Sequence, residues 1–579
     1  LVLSATAGWE ARARAPEAGF GDVFGLWLAG LVSYSCAFLP SLSRFKAAWQ
    51  SWVQRRKEGE WLDEDTLLAL ALAALMALAL VARAFDLQHI PANLSGDEGT
   101  WAMEGLVMLD GSLANPFGTR WFAFPSLSFL VWGVSMRMFG ETVEGLRMAS
   151  ALIGTASVLT TFLLAREIWD RRIAWLAAGL LAVGHYHVHY SRLAVNNIAD
   201  SLVVTLALYL LIRGFRTRHA ICFALAGAVI GIGWYAYFGA RLVGVIAALY
   251  VVWRMTTEHR FLARHGQHLL VLVGAVTVVA GPLMLHYAAH PGALTEGFDR
   301  VSIFASGWLV REQEITGRTA LSLLLQQFWK SISAFNYTLD PTFWYRPEIP
   351  LLDYVSGILF IVGLVWSAAH WRWPSSGLLQ IWFWSALLTG WVMTENPPSS
   401  QRLVIVAPVL ALFTALGLDF LAGLAERLVR GRRSRTAVWC GTVGIVLTVA
   451  GLNLGYYFMA YTPTRVYGNP TAEMTTRLAR QLKATGDDGM VYFHGPPFVY
   501  WDFGTLRFLA RDVSGVDVPP LGEGEWPEPD LSEGACFVFH VARLDELTTI
   551  RQRYPGGVER RVRSSTDGEL LYATYEVGG

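Results

Sequence analysis

The sequence is short of cysteine and of charge. Four cysteines in 579 residues, with no CxxC pair, exclude a disulfide scaffold and a cysteine-built metal site. Cys36, Cys222 and Cys440 fall in apolar stretches, and Cys536 stands alone near the C-terminus. Charged residues make up 16% of the chain, against about 25% in soluble domains, which excludes an ordinary soluble globular protein. An excess of one sign is missing too. The 46 Lys+Arg balance the 46 Asp+Glu, so bulk charge offers no argument for a nucleic-acid partner. No internal repeat, low-complexity tract or short cleavable signal peptide is evident, and the first membrane helices are expected to act as the targeting signal. The chain does not begin with Met, which leaves the completeness of its N-terminus open.

Apolar sequence is abundant: 54% of residues are hydrophobic, with 24 Trp, 20 Tyr and 31 Phe, and mean hydropathy is +0.38. This is the composition of a polytopic membrane protein with aromatic belts. Segments long enough to span occur at 23–42, 66–85, 146–165, 173–190, 198–215, 220–238, 242–257, 268–287, 351–370, 378–394, 403–425 and 437–458, since a crossing needs about 20 apolar residues. The expected fold is mainly α, with about 11–13 transmembrane helices. Segment 123–140 is decided by the positive-inside rule. If it does not span, Arg44, Lys46, Arg55–Lys57, Arg166–Arg172, Arg213–Arg218, Arg260, Arg264, Arg372 and the cluster Arg427–Arg435 all lie inside. It is therefore read as a juxtamembrane or re-entrant helix.

The expected organisation is an N-terminal segment 1–65 with a possible extra membrane helix, then a membrane core 66–290 with an outer loop 86–144. A second outer loop 291–350, membrane helices 351–460 and an extracytoplasmic α/β domain 461–579 follow. In that domain the patterning predicts a helix over 470–485, a strand over 490–494, a strand over 536–540, a helix over 544–554 and a strand over 570–577. The stretch 519–529, rich in Pro and Glu, is expected to be irregular.

Candidate chemistry concentrates at outer boundaries. The run from Gly96 to Gly105 places Asp97 and Glu98 soon after a spanning helix and just before Trp101, Met103, Leu106 and Val107. One acid can take a proton from a hydroxyl while the other holds the acceptor, a metal or a basic partner. Two acids in an outer loop are also ordinary polarity; their place at the bilayer surface favours chemistry. The run His185–Arg192 precedes Asn196, Asn197 and Asp200. Arg192 can pair with a phosphate or with the acids, and Asp200 also suits a helix N-terminus. His185 and His189 lie one turn apart without a third ligand, so no metal site is assigned to them. Tyr237 and Arg241 share a helical face, and an Arg fork suits a phosphate, although snorkelling explains it equally. Arg402, after Glu395 and a Pro-Pro bend, is either a further phosphate ligand or a topological anchor. Phe343, Trp344 and Tyr345 suit a sugar face or a pinned loop.

Residues 66–300 resemble the integral-membrane GT-C glycosyltransferases, above all the protein O-mannosyltransferase-like group (glycosyltransferase family 39) and the aminoarabinose transferases of lipid A. The resemblance is carried by Asp97-Glu98, the Pro125–Ser128 run, Leu146-Arg147, Ala165–Arg172, His189–Arg192 and Tyr237–Arg241, in that order. It implies a polyprenyl-phosphate sugar donor, and transfer to a protein, lipid or glycan acceptor on the non-cytoplasmic face of a bacterial inner membrane. It also implies Asp97 as catalytic base and Glu98 as a holder of the acceptor. The departing phosphate falls to Arg192, Arg241, Tyr237 and Arg402, and acceptor or sugar contacts to Asn196, Asn197 and Asp200. No cofactor is assigned, and a divalent metal is left open. Many relatives carry an acid where Asn197 stands, which puts that second site in question. Two other readings stay open: a transporter or flippase of a lipid-linked glycan, against which stand charges gathered at loop boundaries, and a catalytically silent GT-C-like scaffold.

Overall fold

A computed structural model describes residues 1–578 apart from 16–17, 40–49, 51–62, 429–431, 466, 486–488, 521, 523, 525 and 532–533. Arg44, Lys46, Arg55, Arg56, Lys57 and Arg430, assigned above to the inner side, lie outside the described residues, as does the end of the first predicted span.

The chain is a multi-pass helical membrane protein with a small sheet domain at its C-terminus. Among the described residues seven helices are long and apolar enough to cross a membrane, or eight if the bent pair Tyr354–Ala369 and Pro374–Val392 counts as one span. The larger number expected from sequence included three further apolar helices. Gly21–Cys36, Arg171–Val183 and Ala220–Gly233 form, but with 16, 13 and 14 residues. The predicted span 173–190 breaks at Gly184, after which His185–Tyr190 makes a separate short helix. Segment 123–140 forms the 14-residue helix Ser126–Phe139, too short for a full crossing.

Local chemistry sets the helix starts. Asp63 accepts the Thr66 N–H (2.9 Å) at the head of Glu64–Ala84. Thr142 does the same for Gly145 at the head of Val143–Ile168. Small residues set the close crossings. Between Tyr354–Ala369 and Ala407–Leu428, a Cβ on Gly363 would lie 1.8 Å from the Phe413 carbonyl oxygen, and one on Gly417 2.0 Å from that of Leu359, so only glycine lets these backbones touch.

Charges mark one end of the bundle. Glu167 binds Arg216 (2.6 Å) and Arg213 (3.4 Å), Arg172 reaches Asp419 (2.9 Å) and Glu426 (3.3 Å), and Arg171 pairs with Glu64. Two of the basic clusters grouped by the positive-inside argument, Arg166–Arg172 and Arg213–Arg218, thus lie at the same end.

At the chain's end lies a five-stranded sheet. Strands β1 (Met490–His494), β2 (Gly515–Asp517), β3 (Ala535–His540), β4 (Val558–Arg563) and β5 (Leu570–Val577) take the order β2-β1-β3-β5-β4. β1 runs parallel to β2 and β3, and β5 antiparallel to β3 and β4. Helices Asn469–Thr485 and Glu546–Arg553 accompany it. The predicted helix over 544–554 is thus trimmed at both ends, and β2 and β4 are additions.

This domain is seated on the helix Gly96–Val107. A Cβ on Gly99 would lie 2.2 Å from the backbone of Gly504. The Thr505 hydroxyl donates to the Leu94 carbonyl (3.1 Å), and the Asn93 amide to the carbonyls of Arg465 (2.9 Å) and Tyr467 (3.1 Å).

Candidate active site

The helix carrying the acidic pair starts with a capping box. The Ser95 hydroxyl accepts the Glu98 N–H (3.2 Å), and the Glu98 carboxylate accepts the Ser95 N–H (3.2 Å). Because successive helical residues point about 100° apart, the two acids go to different places.

Glu98 points inward and is fully buried. Arg147 grips it through two hydrogen bonds of 2.9 and 3.0 Å, the Ala194 N–H donates to it at 2.8 Å, and the Tyr467 hydroxyl at 2.9 Å. The remaining Arg147 protons go to the carbonyls of Leu87, Pro91 and Asn93. One buried ion pair thereby joins the helix Gly96–Val107, the helix Val143–Ile168, the turn after Tyr190 and the entry to the C-terminal domain. The expected contact of Glu98 with an acceptor finds no free carboxylate oxygen to make it.

Asp97 points the other way. It makes no hydrogen bond or ion pair to any described residue and lines a cavity of about 510 Å³. Burial, and after it the charge of Glu98, pushes its carboxyl up to about 6.

Asn196, Asn197, Tyr237, Arg241 and Arg402 line the same cavity. Tyr237 is the N-cap of Phe238–Thr257, and Arg241 follows one turn on, so the expected shared face is present. Arg241 donates to the Tyr287 hydroxyl (3.1 Å) and lies over the Phe238 ring at 4.6 Å. Arg402 donates to the Glu395 carbonyl (2.8 Å), across the turn that the Pro-Pro bend shapes.

Two candidates lie elsewhere. Arg192 is fully buried, and its two terminal nitrogens donate to the carbonyls of Ala82 (3.0 Å), Phe85 and Ile90 (2.9 Å), at the C-terminal end of Glu64–Ala84 and in the loop after it. Asp200 is buried behind Gly239, where it accepts the Ala240 N–H (2.9 Å) and so caps the helix that bears Arg241. Both support the site without lining it.

Further residues complete the lining, among them Trp344, which the sequence offers for a sugar face or a pinned loop. Arg300 enters the lining from the end of the helix Pro291–Asp299, and Gln401 from the turn before Arg402. Trp101, Trp121, Phe124, Trp234 and Trp344 supply aromatic walls. The histidines explain how Trp344 arrives there. His189 Nε2 donates to the Trp344 carbonyl (2.7 Å), and its ring stacks on Tyr345 at 4.1 Å. His185 Nδ1 lies 2.5 Å from the Tyr345 hydroxyl. The pair therefore pins the loop to the cavity. Among the described residues no group of three or more His, Cys, Asp or Glu is arranged to hold a metal.

The cavity brings together an unpaired carboxylate, two guanidiniums without a carboxylate partner and aromatic walls, and the arrangement of helices around it is similar to that of the GT-C integral-membrane glycosyltransferases. The structure of ArnT from Cupriavidus metallidurans bound to undecaprenyl phosphate superposes with a TM-score of 0.53 at 16% identity, covering 89% of this chain and 98% of that one. Within the fold, the similarities are to the aminoarabinose-transferase type. Residues 124–284 match the family model described as dolichyl-phosphate-mannose-protein mannosyltransferase. The undecaprenyl phosphate-alpha-4-amino-4-deoxy-L-arabinose arabinosyl transferase of Pseudomonas savastanoi pv. phaseolicola is 28% identical over 36% of this chain, and that of Pseudomonas paraeruginosa 30% identical over 31%. The matched regions span 39% and 34% of those relatives' own lengths.

Proposed function

We propose that this chain is a glycosyltransferase that moves a sugar from a polyprenyl-phosphate donor to an acceptor hydroxyl, on the non-cytoplasmic face of a bacterial inner membrane. The observation that carries the proposal is the pairing, in one cavity, of the unpartnered Asp97 with Arg241 and Arg402. The relatives named above, one of them seen with undecaprenyl phosphate, support the donor class.

In the step proposed, Asp97 takes the acceptor's hydroxyl proton. The acceptor oxygen bonds to the anomeric carbon as the bond from that carbon to the phosphate oxygen breaks. The polyprenyl phosphate leaves with one more negative charge, which Arg241 and Arg402 stabilise. Phosphate is a good leaving group, so no general acid is required. Leu242 and Val245 on one side and Ala386 on the other line the cavity where it meets spanning helices, and this apolar wall suits a prenyl chain. The C-terminal domain, on the same side as the cavity, is then extracytoplasmic.

The test is transfer of label from radiolabelled polyprenyl-phosphate sugars to membrane extract by the purified chain in nanodiscs. Turnover of one donor class supports the proposal. Retention of every donor intact, by protein that binds polyprenyl phosphate, moves the reading to a binding or scaffold role.

A further inference from the structure

The charges around the cavity divide unevenly, and the division bears on which sugar fits. Two guanidiniums face it without a carboxylate partner: Arg241 donates to a tyrosine hydroxyl and Arg402 to a carbonyl. The third, Arg300, is held by Glu296 at 2.6 Å. Among the described residues Asp97 is the one carboxylate in the lining. The acids nearby stand outside the lining. Glu98 is gripped by Arg147, Glu104 is paired with Arg120, and Asp200 caps a helix behind Gly239. Two rings of the lining already carry a cation, Phe238 under Arg241 and Phe122 under Arg300 at 4.4 Å.

Resting on the donor reading above, we infer that the transferred sugar is uncharged, a neutral hexose or pentose bearing hydroxyl or N-acyl groups, and not the amino sugar named for the relatives. A phosphodiester brings one negative charge, and the departing phosphate monoester approaches two. Arg241 and Arg402 match that total. An ammonium on the sugar meets these two cations, and its available counter-ion is the base itself. An ion pair with Asp97 holds the carboxylate in its charged form and weakens it as a proton acceptor. Asn196 and Asn197 stand in the lining, and side-chain amides donate to and accept from hydroxyls without favouring a charge. Trp121 and Trp344 offer apolar faces of the kind that cover sugar C–H groups.

The experiment is equilibrium competition against labelled undecaprenyl phosphate on the full chain in nanodiscs at pH 7. The competitors are unlabelled undecaprenyl phosphate, a neutral undecaprenyl-phosphate hexose, undecaprenyl phosphate-4-amino-4-deoxy-L-arabinose, and the N-acetylated form of the last. The neutral donor is expected to compete about tenfold or more better than the amino donor, and N-acetylation to recover most of that gap. Equal or stronger competition by the amino donor overturns the inference and leaves the donor site standing. An acetylated donor as weak as the free amine also overturns it, because the discrimination is then one of shape. Undecaprenyl phosphate that fails to displace its own label removes the donor reading and the inference with it.

Discussion

Asp97 and Glu98 are adjacent in the chain and opposite in surroundings: Asp97 meets the cavity without a partner, whereas Glu98 is buried and held by Arg147 at 2.9 Å. In the proposed reaction the pair divides into a base and an anchor, and substitutions at the two positions are expected to fail differently.

Glu98→Gln leaves the buried Arg147 without its counter-ion. Breaking such a pair from one side costs about 3–5 kcal/mol. The expected outcome is a marked fall in the thermal midpoint of the detergent-solubilised protein, with activity lost through the fold. Replacing both partners by apolar residues should recover part of the stability.

Asp97→Asn is expected to do the reverse. Burial and Glu98 raise its carboxyl from 3.8 to about 6, so in the folded state its charge is disfavoured. Such a group lowers stability as pH rises from its unfolded value through about 6. The Asn variant should therefore melt slightly higher than wild type at pH 7, and the difference should vanish below about pH 4. Thermal melts at both pH values check this.

The same shift fixes the pH profile of turnover. A base must be unprotonated, so kcat should climb through about pH 6 and level off above it. A flat profile between about pH 5 and 7 contradicts Asp97 as the titrating base.

Arg402→Ala and Arg241→Ala should each weaken binding of undecaprenyl phosphate by about ten- to a hundredfold, the usual worth of a hydrogen bond to a charged group. Arg402→Lys should recover charge without the fork and fall between. Binding assays with the lipid phosphate alone separate this effect from the chemistry.

Gly99→Ala puts a methyl group against the Gly504 backbone, 2.2 Å away. Overpacking of this kind costs about 1–3 kcal/mol, and the helix that shifts carries Asp97. Reduced kcat with donor affinity retained is the expected signature.

Much of this was legible in the sequence, and the exceptions share physical causes. Long apolar runs marked the helices, and two basic clusters marked the end where Arg216 pairs with Glu167 and Arg172 with Asp419. β1 and β5 have the limits that their apolar patterning predicts. β4 escaped notice because Val558–Arg563 carries four charged residues in six, as an exposed edge strand tolerates. β2 is three residues long, below what periodicity can mark. At the site, the residue types were readable but their directions were not. Glu98 and Arg192 are identified as structural only by the carbonyls, N–H groups and guanidinium that reach them from distant segments. Asp200 was placed at a helix N-terminus, and it does cap one, but that of Phe238–Thr257 rather than its own. The roles of His185 and His189 depend on Trp344 and Tyr345, some 155 residues further along the chain, a contact no local pattern encodes.

The most direct test of the central claim is single-turnover transfer by wild type and Asp97→Asn, both in nanodiscs, each saturated with the donor the wild type uses. The account predicts equal donor binding, an intact fold and a rate lower by about a hundredfold or more in the variant. Equal rates in the two proteins would contradict it and remove Asp97 from the chemistry.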